Sequence, residues 1–576
     1  MPDVIQNRLL RWAAVFLFLF SVILTLSPAV REHTFATAYR WSHWIAFVVW
    51  GLLTLAANFV TRRVLPDRDP YLLPAAALLS GWGLFTIWRL DATFGLRQTV
   101  WLGISMAAFL AGLWLPHNLK FLRRYKYILL IGGLLLTALT LLLGTNPGGI
   151  GPRLWLGCCG IYLQPSEPLK LLLIAYLSAY LADRVPLRLN AFPLLLPTLF
   201  VTGLSLVILL VQRDLGTASI FILLYTVILF IATDRRRVLL STAGGLALAG
   251  WVGYFFIPII QARVETWMNP WADPSGRSYQ VIQSLLAVAN GGTLGRGPGL
   301  GSPGLVPVAI SDFIFAAIAE ETGLVGIVGL LGVLGLILAR GMNAALRAPD
   351  RFRRYLAAGL TAYLGIQSLL IIGGNLRLLP LTGVTLPFVS YGGSSLLTSF
   401  VALLLLMRIG AQPEEEPAPL PTAKSFQLLT GLLGLGLMAA ALASAWWVVV
   451  RGPDLLARTD NPRRAIADRY VPRGDLLDRQ DTPLNVTIGE SGSYAREYLY
   501  PELGPITGYT QPTFGQAGLE ASLDDYLRGL EGNPSSRIWW DHLLYGAPPP
   551  GLDVRLSLEL RLQRIADQRL GAHPGA

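Results

Sequence analysis

Long apolar runs, separated by short polar segments, occupy most of the first 450 residues of this chain. A run of about 17–25 apolar residues is long enough to cross a bilayer as a helix. The pattern predicts about thirteen spans: Leu9–Val30, His43–Val60, Tyr71–Leu90, Gln98–Leu115, Tyr127–Leu143, Pro168–Ala182, Ala191–Val211, Leu215–Ala232, Val238–Ile257, Phe313–Ala339, Tyr355–Gly373, Pro387–Met407 and Phe426–Val450. We therefore predict an all-α polytopic membrane protein.

The overall composition agrees with a chain that lies mostly in lipid. Hydrophobic residues make up 53% of it and charged residues only 14%, and the mean hydropathy is +0.52. The net charge of +11 would also suit a nucleic-acid partner. However, the basic residues stand in short clusters between apolar runs, where they set membrane orientation. We therefore expect no nucleic-acid binding.

These basic clusters occur in alternate loops, at Arg62–Arg63, Lys120–Lys126, Arg235–Arg237 and Arg340–Arg354. Loops rich in Lys and Arg are cytoplasmic. Because these loops follow even-numbered spans, the N-terminus is expected in the cytoplasm, and an odd number of spans then ends the chain outside. The Gly144–Glu167 loop, the Pro258–Asp312 loop and everything after Val450 are expected on the outer face.

One polar segment, Leu378–Ser395, lies between two apolar runs and contains several glycines and prolines. Irregular backbone at membrane depth is tolerated only where protein or water satisfies its polar groups. The segment is therefore expected to line a cavity. It includes Ser390, Tyr391, Gly392, Gly393 and Ser394.

Acidic residues are concentrated around the tenth predicted span. Asp312 directly precedes the outer end of this span, and Glu320 and Glu321 lie within it. An acid at the centre of a membrane span costs about 2.5–3.5 kcal/mol, so both glutamates should face a polar interior or a basic partner. Asp312, which follows Ser311, could also be a simple helix cap.

Two other polar clusters border predicted spans. Glu167 and Lys170 are i,i+3 neighbours, so they could form a structural ion pair, or Lys170 could bind an anion from a cavity. Asp214 precedes the next span and could cap it.

Five motifs together resemble the SEDS proteins, the RodA/FtsW family of peptidoglycan polymerases. The motifs are Gly151–Gly157, Gln164–Lys170, Gln212–Ala218, Ser311–Gly323 and Leu378–Ser395. The resemblance runs from about Tyr71 to Gly410 in the family's order. It implies a ten-helix core within residues 66–411, preceded by two additional helices in residues 1–65. Arg213 stands where the family usually has proline, so the local turn is a point of departure from the family's pattern.

The resemblance also implies roles for individual residues. Asp312 corresponds to the family's essential aspartate and is the expected catalytic residue, while Glu320 and Glu321 are expected to support the site. The expected substrate-binding residues are Arg153, Glu167, Lys170, Asp214, Arg263, Tyr279, Gln280, Gln283, Ser390, Tyr391, Gly392, Gly393 and Ser394.

Beyond Val450 the chain resembles the pedestal of a class B penicillin-binding protein. The similar segments are Asn461–Arg463, Arg473–Arg479, Gly515–Glu520, Asp524–Gly529 and Leu558–Leu570. This implies a small α+β extracytoplasmic domain at residues 451–576, which helix 426–450 and a cytoplasmic linker at 412–425 join to the core. The chain has no S-x-x-K or K-T-G motif, so we expect no transpeptidase activity from it.

The function that the resemblance implies is polymerisation of lipid II into glycan strands at the outer face of the bacterial plasma membrane. Asp312 would act as the base, and undecaprenyl diphosphate would leave. A divalent cation, Mg²⁺ or Mn²⁺, would fit this chemistry, although the sequence shows no dedicated metal site. Expected partners are lipid II, membrane lipids, a class B penicillin-binding protein transpeptidase and the elongation or division machinery.

Two other functions stay open at this point. Many spans and a polar interior also describe a lipid II flippase or transporter. The acids are grouped toward the outer side instead, which favours an outer-face enzyme. A non-catalytic scaffold of the cell-wall machinery is the third candidate, and the presence of Asp312 argues against it.

Overall fold

The computed structural model describes residues 2–32, 34–114, 119–146, 149, 151–158, 161–184, 191–411, 423–456, 458, 461–511, 515–545 and 548–570. Most of the predicted linker, residues 412–422, therefore lies outside the described residues.

The membrane part of the described chain consists of helices. In chain order they are α1 (Pro2–Glu32), α2 (Trp44–Val64), α3 (Leu72–Leu90), α4 (Ala92–Gly112), α5 (Lys120–Arg124), α6 (Lys126–Leu143), α7 (Ser166–Arg184), α8 (Ala191–Val211), α9 (Leu215–Thr233), α10 (Arg236–Phe256), α11 (Pro258–Met268), α12 (Tyr279–Gly291), α13 (Ile314–Leu346), α14 (Arg351–Asn375), α15 (Gly393–Gly410) and α16 (Lys424–Ala445). A π-helical turn, Trp446–Val450, extends α16.

Each of the thirteen predicted spans contains a helix, and ten helices of the described residues are long and apolar enough to cross a membrane. The other three are α3, α7 and α8. The described apolar part of α8 is shorter, at Leu195–Val211. Helices α3 and α7 are buried within the bundle along most of their length, and α7 carries Glu167 and Lys170. A helix enclosed by other helices need not be uniformly apolar, because protein rather than lipid surrounds its polar groups.

Helix α13 is central to the bundle. It packs against α3, α12, α14, α15 and α16, while α7 packs against α6, α9, α14 and α15. The additional N-terminal helices lie on another side, with α1 against α3 and α2 against α4. At one end of that contact the buried Arg68 donates to Gln6 Oε1 at 2.7 Å and to Asp3 Oδ1 at 2.6 Å. The N-terminal pair and α16 therefore flank the core in different places.

The two segments expected as long outer loops both contain regular secondary structure among their described residues. The first contains the hairpin of β1 (Leu156–Cys158) and β2 (Ile161–Leu163). The second contains α11, α12 and short 3₁₀ turns at Pro270–Ala272 and Pro303–Leu305. The segment Pro258–Asp312, expected only as a long outer loop, is helical over part of its length, and α12 buries its apolar face against α13.

A kink interrupts α13 at Gly323, where φ is 64° and ψ is −166°. A Cβ at this position would lie 2.2 Å from the backbone nitrogen of Gly295. Only glycine combines this backbone conformation with so close an approach. The kink lies immediately after the acidic pair Glu320 and Glu321.

The C-terminal region is a small mixed domain. Its helices are α17 (Gly452–Leu456), α18 (Pro462–Ala467), α19 (Gly504–Thr507), α20 (Gly518–Ser522), α21 (Asp524–Leu527), α22 (Ser535–Tyr545) and α23 (Leu560–Leu570). Its strands are β3 (Leu476–Leu477), β4 (Pro483–Ile488), β5 (Ala495–Tyr498), β6 (Tyr509–Gln511), β7 (Gly515–Ala517) and β8 (Val554–Arg555).

Four of these strands form one sheet in the order β5-β4-β3-β8, in which only the β3–β8 pair is parallel. A separate antiparallel pair joins β6 to β7. The buried core of the domain is formed by Leu476, Leu484, Leu503, Leu527 and Leu560. The predicted combination of a mostly helical membrane protein with a small α+β C-terminal domain is confirmed.

Candidate active site

Asp312 lies in the turn just before α13 and is half-buried. Its Oδ1 accepts a hydrogen bond from Ser311 Oγ at 2.9 Å, and its carbonyl accepts one from Asn375 Nδ2 at 2.8 Å. The helix starts after Phe313 without a side-chain cap, so the alternative role of Asp312 as a helix cap is wrong. Its carboxylate is free to face the adjoining cavity.

This cavity has a volume of about 360 Å³ and lies between α11, α12 and the segment after α14. Its lining residues include Ile259, Ala262, Arg263, Thr266, Trp267, Arg277, Gln280, Val281, Asp312, Gly374, Arg377, Leu379, Leu381 and Gly383. Asp312 is the one carboxylate among the described residues that line it, whereas three arginines do so. The described lining therefore combines one carboxylate with three arginines, of which Arg277 also pairs with Glu265 at 3.7 Å.

Burial affects the ionisation of both charge types here. It raises the pKa of Asp312, although the Ser311 hydroxyl and the positive charge of Arg263 oppose the change. Burial lowers the pKa of Arg263, and the negative charges of Asp214 and Asp312 oppose that change. Arg263 thus lies within electrostatic range of both aspartates. A carboxylate with a raised pKa is a better proton acceptor than an ordinary one.

Arg377 fixes the wall formed by α11. Its Nε donates to the Trp267 carbonyl at 2.7 Å and an Nη donates to the Met268 carbonyl at 2.6 Å. In return, Trp267 Nε1 donates to the Arg377 carbonyl at 3.1 Å. Arg377 has a φ of 59°, which is strained for a residue with a side chain. These contacts hold a strained turn beside the cavity.

The polar segment Leu378–Ser395 supports Asp312 from the other side. Ser390 Oγ donates to the Ser311 carbonyl at 2.7 Å and accepts from the Leu386 backbone nitrogen at 2.8 Å. The Tyr391 nitrogen donates to the Ile310 carbonyl at 2.9 Å. The predicted cavity-lining segment thus holds the backbone that presents Asp312. Substrate contact by Ser390 and Tyr391 themselves stays a prediction.

The next three residues of that segment pack into the bundle. The Gly392 nitrogen donates to Gln98 Oε1 at 3.2 Å, and a Cβ at Gly393 would lie 2.0 Å from the Trp101 ring. Ser394 Oγ accepts from the Gln164 backbone nitrogen at 2.7 Å. Gly392, Gly393 and Ser394 therefore tie the segment to α4 and to the start of α7.

Lys170 is fully buried on α7. Its Nζ donates to Glu167 Oε1 at 2.7 Å and to Gln367 Oε1 at 2.8 Å. Gln367 in turn donates to the Thr385 carbonyl at 2.8 Å, which connects the pair to the polar segment. The structural ion pair is present. Anion binding by Lys170 stays a prediction and would require this network to open.

Asp214 caps α9 through a 3.0 Å bond from the Thr217 nitrogen to Oδ1, as the sequence suggested. Its Oδ2 lies 3.4 Å from Gln164 Nε2. The preceding Arg213 has a φ of 60°. Proline is confined to a φ near about −65°, so the turn differs from one that places proline there.

The remaining predicted residues lie at different distances from the cavity. Gln280 lines it, and Tyr279 begins the same helix. Gln283, one turn further on, instead accepts a 2.8 Å bond from Arg463 of the C-terminal domain. Arg153 is exposed beside the β1–β2 hairpin and is not among the described lining residues. The substrate roles of these residues stay predictions.

Glu320 and Glu321 both have basic partners, which confirms that expectation. Glu320 forms a two-bond ion pair with Arg463, with both distances at 2.9 Å. Glu321 Oε1 lies 3.1 Å from Arg89 Nε and accepts from the Gly299 nitrogen at 3.0 Å. These contacts join α13 to neighbouring elements, and a supporting role of the two glutamates in the site stays a prediction.

The site residues predicted from the sequence do not include Arg277, Asn375 or Arg377. Arg377 carried a detectable signal, because it is a lone charged residue between α14 and the polar segment. Arg277 resembles an ordinary loop residue, and Asn375 resembles an ordinary residue at a helix end. Their importance arises from contacts with segments far away in sequence.

In the part of the chain that the structure describes, no group of three or more His, Cys, Asp or Glu residues could hold a metal ion. The cavity lining contributes one carboxylate. A resident divalent cation therefore does not fit the described donors, and any ion would take most of its ligands from phosphate and water.

Comparison with known proteins decides the family. Residues 77–415 match the family described as "Cell cycle protein", which comprises FtsW, RodA and SpoVE. This chain belongs to that family.

Three members illustrate the similarity. The peptidoglycan glycosyltransferase RodA of Mycobacterium tuberculosis is 36% identical over 386 residues, which cover 62% of this chain and 82% of that protein. The probable peptidoglycan glycosyltransferase FtsW of Geobacter metallireducens is 34% identical over 327 residues, covering 56% of this chain and 86% of the relative. A chain from a solved peptidoglycan synthase complex, which coordinates polymerization and crosslinking, is 32% identical, with a TM-score of 0.52 and coverage of 60% of this chain and 99% of that one.

Proposed function

We propose that this chain is a peptidoglycan glycosyltransferase that polymerises lipid II into glycan strands during cell elongation or division. The observation that carries the proposal is Asp312, the one carboxylate among the described residues that line a cavity, together with the three arginines that also line it. The names of the related proteins support the same activity.

The reaction requires a base at one end of the cavity. Asp312 takes the proton from the acceptor sugar hydroxyl as that oxygen attacks the anomeric carbon of the donor. The bond between that carbon and the diphosphate oxygen breaks, the configuration inverts, and undecaprenyl diphosphate leaves. The raised pKa of Asp312 suits proton acceptance at this step.

The leaving diphosphate requires positive charge. Arg263, Arg277 and Arg377 line the cavity, and arginine forms two parallel hydrogen bonds to phosphate. Their charge stabilises the leaving group more strongly in the transition state than in the ground state, because negative charge develops there.

The lipid chain of the substrate would extend from this cavity into an adjoining recess that has both polar and apolar lining residues. A second cavity of about 680 Å³ shares Thr266 and Arg277 with the first and is also lined by Trp251, Tyr254 and Met268. It borders α10, whose apolar side chains are mostly exposed in the described bundle and therefore suited to lipid.

We propose further that the N-terminus is cytoplasmic and that the C-terminal domain and the cavity lie on the outer face of the plasma membrane. The alternation of basic loops supports this orientation. The partner would be a class B penicillin-binding protein transpeptidase, and residues 451–576 would act as a pedestal-like docking platform or regulator in the same chain.

The test is gel detection of glycan strands formed by the purified full-length protein from labelled lipid II in detergent, with Mg²⁺ or Mn²⁺ and then with a chelator. Strands from the wild type support the polymerase. If no strands form, but the protein in liposomes moves labelled lipid II across the bilayer, the flippase alternative is correct. If neither occurs with folded protein, the scaffold alternative gains support.

A further inference from the structure

The C-terminal domain reaches into the helical core through one side chain, Arg463 at the start of α18. Its Nε and Nη2 donate to the two carboxylate oxygens of Glu320 at 2.9 Å, and its Nη1 donates to Gln283 Oε1 at 2.8 Å. The Arg463 side chain is 4% exposed and that of Glu320 is 0% exposed. A two-bond pair between arginine and carboxylate fixes orientation as well as distance.

The two partners of Arg463 belong to different helices. Gln283 is on α12 and Glu320 is on α13, so the guanidinium joins the two helices from outside the membrane core. Glu320 also accepts bonds from Asn290 Nδ2 at 2.8 Å and from the Ser302 nitrogen at 3.0 Å. Without Arg463 the buried carboxylate would retain these neutral donors but lose its bonded cation. Such a loss strongly disfavours the original packing.

The position of α12 is transmitted to Asp312 by hydrogen bonds. Ser284, adjacent to Gln283, donates to the Asn375 carbonyl at 3.0 Å. Asn375 then donates to the Asp312 carbonyl at 2.8 Å. The first turn of α12 also contributes Gln280 to the cavity wall. A displacement of α12 would therefore alter both the cavity and the support of its base.

The segment that carries Arg463 is itself firmly seated. One buried apolar cluster unites Ile282, Leu286, Ala289 and Leu455, and thus α12 with α17. The Arg458 guanidinium lies 4.3 Å from the centre of the Trp271 ring. The Arg31 guanidinium, on α1, lies 4.8 Å from the centre of the ring of Tyr470, which follows α18. Arg463 is therefore held by contacts before and after it in the chain.

We propose that Arg463 is a positioning residue for glycan polymerisation. By joining α12 to α13 it holds the Asp312 cavity in the shape that turnover requires. The inference rests on the proposed polymerase function. Arg463 acts through Gln283, Ser284 and Asn375 rather than on the substrate.

The test compares the steady-state kinetics of full-length Arg463→Gln and Arg463→Lys with the wild type in the lipid II assay. Because a misplacement on the order of 1 Å can cost about 100-fold in rate, we expect Arg463→Gln to lower kcat at least about tenfold. KM for lipid II should change less than about threefold, since no substrate contact is lost. Arg463→Lys should recover part of kcat, because it keeps the charge but not the planar pair.

The matched control is Arg555→Gln in the same domain. Arg555 and Asp481 are 65% and 64% exposed and lie 3.7 Å apart, so the substitution should leave kcat unchanged. An unchanged kcat in Arg463→Gln would overturn the inference. So would a loss of activity that only follows the fraction of protein that is folded, as measured by thermal unfolding and gel filtration.

If Arg463→Gln does not fold, Gln283→Leu provides the second variant. It removes the α12 contact but leaves the ion pair between Arg463 and Glu320 in place. The same selective fall in kcat, smaller in size, is expected, and wild-type kcat would overturn the inference. Failure of the polymerase function itself is distinguishable, because the wild type and Arg555→Gln would then form no strands either.

Discussion

Asp312 and Glu320 are two acids eight residues apart in sequence, at the start of one helix, but their surroundings differ sharply. Glu320 is fully buried, with four hydrogen bonds, two of them from Arg463. Asp312 is half-buried and accepts one hydroxyl bond, and no described cation forms a salt bridge with its carboxylate. An acid whose carboxylate is fully paired with protein groups has a structural role. An acid left facing a cavity with a raised pKa is available for chemistry.

The same contrast separates the arginines. Arg463 is hydrogen-bonded to the buried Glu320, and Arg89 forms an ion pair with the buried Glu321 at 3.1 Å. Both arginines join separate elements to the core. Arg263 lines a cavity where a substrate phosphate could bind it, and no described carboxylate lies within salt-bridge distance of it. Arg277 lines the same cavity but also lies 3.7 Å from Glu265 Oε2, in an exposed pair. Burial of a charge alone therefore does not mark the functional site. A functional site is indicated instead by a charged group that faces a cavity and has no oppositely charged partner in the protein.

Removing the paired acid should affect stability most. Glu320→Ala leaves the Arg463 guanidinium buried without its carboxylate, and breaking a buried pair in this way costs about 3–5 kcal/mol. Thermal unfolding in detergent should show a clear fall in the midpoint. Asp312→Asn, which has no such partner, serves as the comparison and should unfold near the wild-type temperature. Equal midpoints for all three proteins would contradict the contrast.

The kink beside the acidic pair should be the next most sensitive position. Gly323→Ala forces a side chain into left-handed backbone, which costs about 1–3 kcal/mol, and its Cβ would also overlap Gly295. Gly332 lies on the same helix with open space around its Cα, so Gly332→Ala is the matched control. We expect thermal unfolding to show destabilisation by the first and little change or slight stabilisation by the second. The reverse order would show that the kink does not depend on Gly323.

The smallest effect should appear in the pH dependence of turnover. In the proposed mechanism Asp312 acts as a base when it is deprotonated, so activity should fall as the pH drops through its pKa. Burial raises that pKa above the ordinary value of about 3.9, and the acidic limb should therefore lie at higher pH than for an exposed aspartate. Arg263→Gln removes a charge that opposes the rise, so it should move the limb further toward neutral pH.

The measurement is kcat for strand formation against pH, with Arg555→Gln as the control that should retain the wild-type profile. The expected displacement is below about one pH unit, since the charge of Arg263 is partly screened. A displacement toward acid pH would mean that Arg263 does not act on the group that titrates.

The sequence was sufficient for much of this molecule, for identifiable reasons. The apolar runs were long enough to predict a helix in each of thirteen places, and the polar segment between two of them correctly indicated irregular backbone beside a cavity. Asp312 itself lies in a contiguous motif, Ser311–Gly323, so a local pattern identifies it, although the cavity around it is built from distant segments. The cap formed by Asp214 is also local.

The contacts that could not be predicted join distant parts of the chain. Arg463 and Glu320 are 143 residues apart, and no local pattern pairs them. The burial of Lys170 against Gln367 depends on how α7 meets α14. Helices α11 and α12 were expected as loop because their apolar faces are shorter than a membrane span. In each case the deciding information was tertiary packing.

The most direct test of the account is strand formation from labelled lipid II by purified wild type and Asp312→Asn, compared at equal amounts of folded protein. A positioned general base contributes about 10²–10⁴-fold, so the variant should form strands slower by that factor while its unfolding midpoint remains near that of the wild type. A folded Asp312→Asn that polymerises at the wild-type rate would contradict the assignment of Asp312 as the base and remove the distinction between the two acids.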